Sequence, residues 1–156
     1  PKPILKDNDL ISLIKDNINL INELDSKILI NLDANKDKII LNSDNEQLSR
    51  VFFNMIKNSI ESIIEKRLNN DAFKGKIDIT VNDNLSNIDF IIIDNGLGFG
   101  TFKDNMKNLL NPYITTKKKG TGLGLAIVNK IVNDHNGSIN FIPTENGAKI
   151  KIKFIR

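Results

Sequence analysis

The run from Ile88 to Ile93 is almost entirely apolar, and it is followed directly by Asp94-Asn95-Gly96-Leu97-Gly98. A short apolar run that is rich in β-branched residues indicates a strand in the middle of a sheet. The two glycines that follow it predict a tight turn. The chain is therefore expected to contain a sheet whose central strand ends in a carboxylate and a glycine-rich turn.

The rest of the chain alternates between helical and strand patterns. Ser43-Asp44-Asn45-Glu46 is a capping-box sequence, in which the Ser43 hydroxyl binds a free amide and Glu46 reaches back, and it predicts the start of a long helix. The predicted helices cover residues 9–24, 43–68 and 122–135, and the predicted strands cover 28–30, 39–41, 76–81, 88–93, 138–142 and 148–155. The first two strands are expected to form a hairpin across a polar stretch. We expect one α+β domain over residues 1–156, with helices packed on one face of a mixed, mostly antiparallel sheet.

The composition excludes several classes of protein. The 156 residues include no cysteine and one histidine, which rules out a disulfide framework and most zinc sites. The net charge of +3 is small and the lysines are spread along the chain, so we expect no nucleic-acid partner. No apolar stretch has the length of a signal peptide or a membrane span. We expect a soluble, cytoplasmic domain, and an inner-membrane anchor in a longer parent protein stays open.

The long predicted helix carries two asparagines on one face. Asn54 and Asn58 are four residues apart and therefore lie on successive turns of the helix. An amide oxygen is a neutral, hard ligand for Mg²⁺, which takes most of its other ligands from water and substrate phosphates. Two surface asparagines in an asparagine-rich sequence are the alternative, which these residues alone leave open.

Asp94, Gly96 and Gly98 form a second motif at the end of the central strand. A carboxylate in this position suits the recognition of an amino group in a pocket. The glycines let the backbone pass close to a flat ring, since no Cβ atoms stand in the way. A tight turn in which Asp94 caps its own backbone is the alternative.

A third motif, Gly120-Thr121-Gly122-Leu123-Gly124-Leu125, leads into the last predicted helix. Glycine-rich backbone at a helix N-terminus offers free amides and the positive end of the helix dipole to a phosphate. The motif lacks the Lys-Ser or Lys-Thr pair of a Walker A loop and the preceding parallel strand of a dinucleotide fold. Residues 99–119, which end in three lysines, are predicted to form a lid, although a charge run is also typical of a solvated turn.

The order and spacing of these motifs resemble those of the histidine-kinase and GHKL ATPase families over nearly the whole chain. Residues 53–62 resemble the N box, residues 94–98 the G1 box and residues 120–125 the G2 box. Pro-Tyr-Ile-Thr-Thr-Lys at residues 112–117 is similar to the Pro-Phe-Phe-Thr-Thr-Lys stretch of these families. The closest resemblance is to nitrogen-regulation sensor kinases of the NtrY-like branch.

This resemblance implies a Bergerat-type two-layer α/β sandwich that binds ATP and Mg²⁺. It implies that Asp94 accepts a hydrogen bond from the adenine amino group and that Asn58 binds Mg²⁺. Asn54 and Lys117 are implied to lie near the phosphates and to take part in catalysis. The other implied nucleotide-binding residues are Gly96, Gly98, Tyr113, Thr116, Gly120, Thr121, Gly122, Leu123, Gly124 and Leu125.

Asn54 and Glu61 distinguish this chain from other branches that it resembles. The gyrase, Hsp90 and MutL branch places a glutamate, the base for water, four residues before the magnesium asparagine. Asn54 stands there and cannot take a proton at neutral pH, which favours phosphoryl transfer over hydrolysis. Many histidine kinases have a basic residue that contacts phosphate where this chain has Glu61. Either Lys57 or Lys117 is left to make that phosphate contact. An anti-sigma-factor-type protein serine kinase or a GHL-type ATPase remains the alternative.

The resemblance also implies partners outside this chain. The phosphoacceptor histidine of such kinases lies on a helical hairpin N-terminal to this domain, and a response regulator acts through that hairpin. His135 is the only histidine, and packing or capping at a helix end explains it. We expect the chain to bind ATP without labelling itself and to be monomeric, while dimerisation of the parent protein stays open.

Overall fold

The computed structural model describes residues 1–98 and 124–156, and the predicted lid at 99–119 lies outside them. The described elements in chain order are β1 (Lys6–Asp9), α1 (Leu10–Asn22), β2 (Leu29–Ala34), β3 (Ile40–Ser43), α2 (Asn45–Leu68), β4 (Lys76–Asp83), β5 (Asn87–Asp94), α3 (Gly124–Asp134), β6 (Gly137–Ile142) and β7 (Ala148–Ile155). None of the helices in these two ranges is both long enough and apolar enough to span a membrane.

Five strands form one sheet in the order β2-β4-β5-β7-β6. β5 lies in the middle, as its apolar sequence predicts. The pair β2–β4 is parallel, and the pairs β4–β5, β5–β7 and β6–β7 are antiparallel. The prediction of a mixed, mostly antiparallel sheet is confirmed.

One face of this sheet forms the core with the helices. Ile79, Ile92 and Ile150 are neighbours across the three middle strands, and all three side chains are buried. Phe90 of β5 packs against Phe52 of α2, with ring centroids 5.0 Å apart. α2 therefore lies on the central strand, and α1 and α3 pack against α2. The predicted α+β sandwich with helices on one face is confirmed.

The hairpin predicted near the start of the chain is wrong. β2 pairs in parallel with β4, whereas β3 pairs antiparallel with β1, a strand that the sequence pattern does not reveal. β1 and β3 form a separate two-stranded sheet. The polar stretch between β2 and β3 connects two sheets, and such a connection has the same composition as a hairpin loop.

The predicted cap of the long helix is wrong by one residue. Asp44 is the N-cap of α2, and its Oδ1 accepts a hydrogen bond from the Gln47 amide at 3.1 Å. Ser43 ends β3, and its hydroxyl donates to the Leu41 carbonyl oxygen at 3.1 Å. Serine and aspartate cap helices about equally well. The pairing of β3 with β1 keeps Ser43 in the strand, so the next residue, Asp44, becomes the cap.

Candidate functional site

One face of α2 presents polar side chains on three successive turns. Asn54, Asn58 and Ser62 are spaced by four residues and are each partly exposed. Met55 and Ile63 each directly follow a residue of this strip and are buried, so the strip runs along the edge of the core. Eight residues of helix extend about 12 Å, so Asn54 and Ser62 mark the two ends of an elongated strip.

Asp94 ends β5 and begins the glycine-rich loop. The residue is 5% exposed, and its Oδ1 accepts a hydrogen bond from the Gly96 amide at 2.9 Å. This is the self-capping turn that the sequence allows, and it fixes the direction of the carboxylate. A carboxylate can accept about four hydrogen bonds, so this contact is compatible with a further donor from a ligand.

The loop after Asp94 rests directly on α2. The Leu97 amide donates a hydrogen bond to the Ser62 hydroxyl oxygen at 2.8 Å. A Cβ atom on Gly96 would lie 2.8 Å from the Ser62 Cβ and 2.8 Å from its carbonyl carbon, which is closer than such atoms approach. Only glycine at position 96 therefore permits this approach.

Asn95 joins the same loop to the start of β4. Its Oδ1 accepts from the Lys76 amide at 2.8 Å, and its Nδ2 donates to the Lys74 carbonyl oxygen at 3.0 Å. Lys66 of α2 donates to the Asn95 carbonyl oxygen at 3.0 Å and lies 4.6 Å from the Phe73 ring centroid. Asn95 thus holds the loop to the start of β4 through its side chain.

Gly98 and Gly147 bring the turn between β6 and β7 against the loop. Their φ angles are +82° and +78°, in the left-handed region that favours glycine. A Cβ on Gly98 would lie 2.8 Å from the Gly147 carbonyl oxygen, and a Cβ on Gly147 would overlap the Asp94 carbonyl oxygen. Residues 143–147 are predicted as a turn from the sequence, but Gly147 is not among the predicted site residues.

Asn54 lies near the start of α3. A Cβ built on Gly124 would be 4.0 Å from the Asn54 Oδ1, so the first and third motifs meet here. Leu125 follows Gly124 and packs against the core. The other residues implied at this end lie outside the described ranges, namely Tyr113, Thr116, Lys117, Gly120, Thr121, Gly122 and Leu123.

Lys57 and Glu61 form an ion pair along α2. The Lys57 Nζ lies 3.8 Å from the Glu61 Oε1, and the two side chains are 55% and 35% exposed. A pair this exposed contributes little to stability and does not fix the lysine firmly. Lys57 therefore stays available as one of the two expected phosphate contacts.

His135 uses both ring nitrogens within the fold. Its Nε2 accepts from the Asp44 amide at 3.0 Å, and its Nδ1 lies 2.8 Å from the Ile131 carbonyl oxygen, to which it donates in the matching tautomer. Asp44 in turn accepts from the Ile4 amide at 2.8 Å and from the Gln47 amide, and these hydrogen bonds hold the pKa of its carboxyl below the usual value. The predicted packing and capping position of His135 agrees with these contacts.

The described part of the site has two chemically different ends. A buried carboxylate and a bare glycine backbone lie at one end, and amide side chains beside the first residue of α3 lie at the other. A carboxylate suits an amino-bearing ring, whereas a helix start suits phosphate oxygens. The arrangement therefore fits an elongated ligand that carries both groups.

Comparisons with known proteins identify the family of the chain. Residues 43–155 match the profile of the family described as histidine kinase-, DNA gyrase B-, and HSP90-like ATPase. A Rickettsia felis protein named as an NtrY-like sensor histidine kinase is 34% identical over 155 residues, which are 99% of this chain and 24% of that protein. The nitrogen regulation protein NtrY of Azorhizobium caulinodans is 32% identical over 154 residues, 97% of this chain and 20% of that protein. The chain thus spans a quarter or less of the length of these relatives.

A solved structure agrees in fold as well as in sequence. The nucleotide-free catalytic domain of histidine kinase ThkA matches with a TM-score of 0.83 at 25% identity, over 97% of this chain and 95% of that one. The resemblance inferred from the three motifs is therefore confirmed. The chain belongs to the histidine kinase-, DNA gyrase B- and HSP90-like ATPase family, as a catalytic domain of the sensor histidine kinase type that is similar to NtrY-like kinases.

Proposed function

We propose that this domain binds ATP with Mg²⁺ and transfers the γ-phosphoryl group to a histidine on a separate helical-hairpin domain of its parent kinase. The observation that carries the proposal is the position of two half-sites along α2. Asn54 faces the start of α3 at one end, and Ser62 binds the loop of Asp94 at the other. The proposed single domain, residues 1–156, supplies both half-sites.

The adenine ring is proposed to bind at Asp94. The carboxylate is buried, and burial strengthens a hydrogen bond from the adenine amino group because water does not compete for it. Gly96 and Gly98 offer the ring a backbone surface without side chains. The Gly96 amide already holds the carboxylate in one direction, so little reorientation is needed when the ring binds.

The phosphates are proposed to bind between α2 and the start of α3. Asn58 is the proposed ligand of Mg²⁺, which when bound offsets the negative charge of the phosphate oxygens. Asn54 lies one turn before Asn58 and beside Gly124, where helix amides suit phosphate. The other residues proposed to bind the phosphates at this end are Tyr113, Thr116, Lys117 and residues 120–123.

Phosphoryl transfer is favoured over hydrolysis because Asn54 stands where an ATPase would have a base that activates water. Asn54 takes the position of the ATPase glutamate in the family resemblance, and an amide does not accept a proton at neutral pH. Positioning and electrostatics carry most of phosphoryl transfer, so the acceptor must be placed by another domain. His135 does not serve as that acceptor, because both of its ring nitrogens are hydrogen-bonded within the fold.

The acceptor hairpin and a response regulator are therefore the proposed protein partners. The hairpin would belong to the same parent protein, and the response regulator would take the phosphoryl group from it. The isolated domain is proposed to be a monomer that binds ATP and does not label itself.

Calorimetric titration with ADP and Mg²⁺ tests the nucleotide site. Asp94→Asn should weaken binding by about 2–4 kcal/mol, because it removes a buried, charge-assisted hydrogen bond. Asp89→Asn is the matched control, since Asp89 lies on the same strand and pairs with Lys151 at 3.6 Å, away from the loop. Equal affinities for the wild type and Asp94→Asn would remove Asp94 from the site.

Incubation with γ-labelled ATP tests the transfer step. The domain alone should release little phosphate and carry no label. Addition of the matching hairpin domain should give acid-labile label on the hairpin. Acid-stable label on a partner serine would favour a serine kinase, and rapid phosphate release by the domain alone would favour an ATPase.

A further inference from the structure

We propose that Ser62 is a positioning residue of the nucleotide site, which holds the loop of residues 94–98 for base recognition. This inference rests on the function proposed above. Ser62 is the last residue of the stretch that resembles the N box, where no nucleotide-binding role is implied for it, and its assignment comes from its contacts. These contacts connect α2 to the loop at one point.

The first contact is the hydrogen bond from the Leu97 amide to the Ser62 hydroxyl oxygen, at 2.8 Å. The preceding amide, that of Gly96, donates to Asp94 Oδ1 at 2.9 Å. The Leu97 amide is therefore bound to α2, and the Gly96 amide directly before it is bound to the Asp94 carboxylate. A loop that shifts away from Ser62 must also move the amide that orients Asp94.

The second contact limits the size of the side chain at position 62. The space that a Cβ on Gly96 would occupy lies within 2.8 Å of the Ser62 Cβ and carbonyl carbon. The loop backbone thus lies directly on this turn of the helix, and a larger side chain at position 62 would displace it. Ser62 meets two requirements at once, since it is small and its oxygen accepts a hydrogen bond.

The helix provides a firm support for this contact. Ile63 is fully buried, and Ile60 on the preceding turn is 7% exposed, so this turn of α2 is anchored in the core. The Leu97 side chain is 51% exposed and offers the loop no comparable anchor. The bond from the Leu97 amide to Ser62 therefore contributes to the position of Leu97 together with the contacts of its neighbours in the loop.

The experiment compares ADP with inosine diphosphate, which lacks the amino group that Asp94 is proposed to bind. Ser62→Ala should weaken ADP binding about 3–10-fold, the effect expected from one hydrogen bond, and should leave inosine diphosphate binding nearly unchanged. Ser62→Val should weaken ADP binding further, because its side chain collides with Gly96. Hydrogen exchange of the Leu97 amide should be faster in Ser62→Ala.

Ser49→Ala is the matched control on the same helix. Ser49 exchanges hydrogen bonds with Asn17 at 3.2 and 3.4 Å, far from the loop, so its loss should lower stability and leave the ratio of ADP to inosine diphosphate affinity unchanged. An unchanged ratio in Ser62→Ala, with the wild type binding ADP, would overturn the role of Ser62 alone. A wild type that binds neither nucleotide would overturn the proposed function itself.

Discussion

Replacement of Asp83 by asparagine should destabilise the domain in a way that disappears at low pH. Asp83 ends β4, and its side chain is 5% exposed beneath two cations. Arg156 is hydrogen-bonded to its Oδ1, Lys36 donates to its Oδ2 at 3.1 Å, and the Leu85 amide donates to Oδ1 at 3.0 Å. Arg156 also donates to the Ile40 carbonyl oxygen at 2.6 Å, so this cluster joins the C-terminus to β3 and β4.

The magnitude follows from the acidity of Asp83. Its hydrogen bond with Arg156, followed by those from Leu85 and Lys36, lowers the pKa of the carboxyl from 3.8 to about 2. At about 1.36 kcal/mol per pKa unit, this difference corresponds to about 2 kcal/mol of stability before solvent screening. Lys36 and Arg156 are 45% and 30% exposed, and solvent screening reduces the expected contribution to about 1–2 kcal/mol.

The sign of the pH dependence follows from a depressed carboxyl pKa. The folded state binds the proton more weakly than the unfolded state, so the contribution is fully present above the unfolded pKa near 3.8. It is lost as the pH falls through that value towards about 2, where the folded carboxyl also becomes protonated. Asp83→Asn keeps an acceptor for the Leu85 amide, removes the charge and replaces the oxygen that accepts from Lys36 by an amide NH2 group.

Urea unfolding at pH 7, 5, 4 and 3 measures the difference in unfolding free energy between the wild type and Asp83→Asn. The difference should be about 1–2 kcal/mol at pH 5–7 and should shrink below pH 4. Asp89→Asn is the control for removal of a carboxylate charge on the neighbouring strand, because Asp89 pairs with Lys151 at 3.6 Å and does not belong to the Asp83 cluster. A difference that stays constant from pH 7 to pH 3 would refute the assignment of this stability to the Asp83 charge.

Three further substitutions test the site and its supports. Asn58→Ala should weaken ADP binding in Mg²⁺ several-fold and leave binding in EDTA nearly unchanged, as measured by calorimetry. Gly147→Ala should lower both the unfolding free energy and ADP affinity by roughly 2 kcal/mol or more, because its φ is +78° and the new Cβ overlaps the Asp94 carbonyl oxygen. His135→Ala should lower the unfolding free energy by about 2 kcal/mol through the lost contact with the Asp44 amide, while equal urea midpoints would contradict this.

Elements with a strong local pattern could be predicted from the sequence. β5 is central because its largely apolar run suits the middle of a sheet, and the stripe of buried residues from Leu48 to Ile63 fixes most of α2. The partners of β2 and β3 could not be predicted from the sequence. β2 pairs with β4 and β3 pairs with β1, and these choices depend on packing between segments that are far apart in the chain. β1 has only four residues, Lys-Asp-Asn-Asp, without an apolar period, and its pairing with β3 makes it a strand.

The candidate site divides in the same way. Asp94 and Asn54 are visible because they stand in motifs whose residue types match a chemical task. The roles of Ser62 and Gly147 could not be predicted from the sequence. Both residues are small enough for the loop of residues 94–98 to pack against them, and Ser62 also accepts one hydrogen bond from that loop. The register that sets Asp94 opposite Ala148 brings Gly147 against the loop, and no local pattern encodes that register.

The consequence is that, besides the hydrogen bonds of Asn95, two separate elements contact the loop of residues 94–98. Ser62 holds it from α2, and Gly147 holds it from the turn before β7. Because the two supports share no atoms, their substitution should weaken ADP binding additively if each acts only on its own side. If both act by setting the direction of the Asp94 carboxylate, the second substitution should cost less than it does alone. The double variant Ser62→Ala, Gly147→Ala therefore distinguishes a loop held as one rigid unit from a loop held at two separate points.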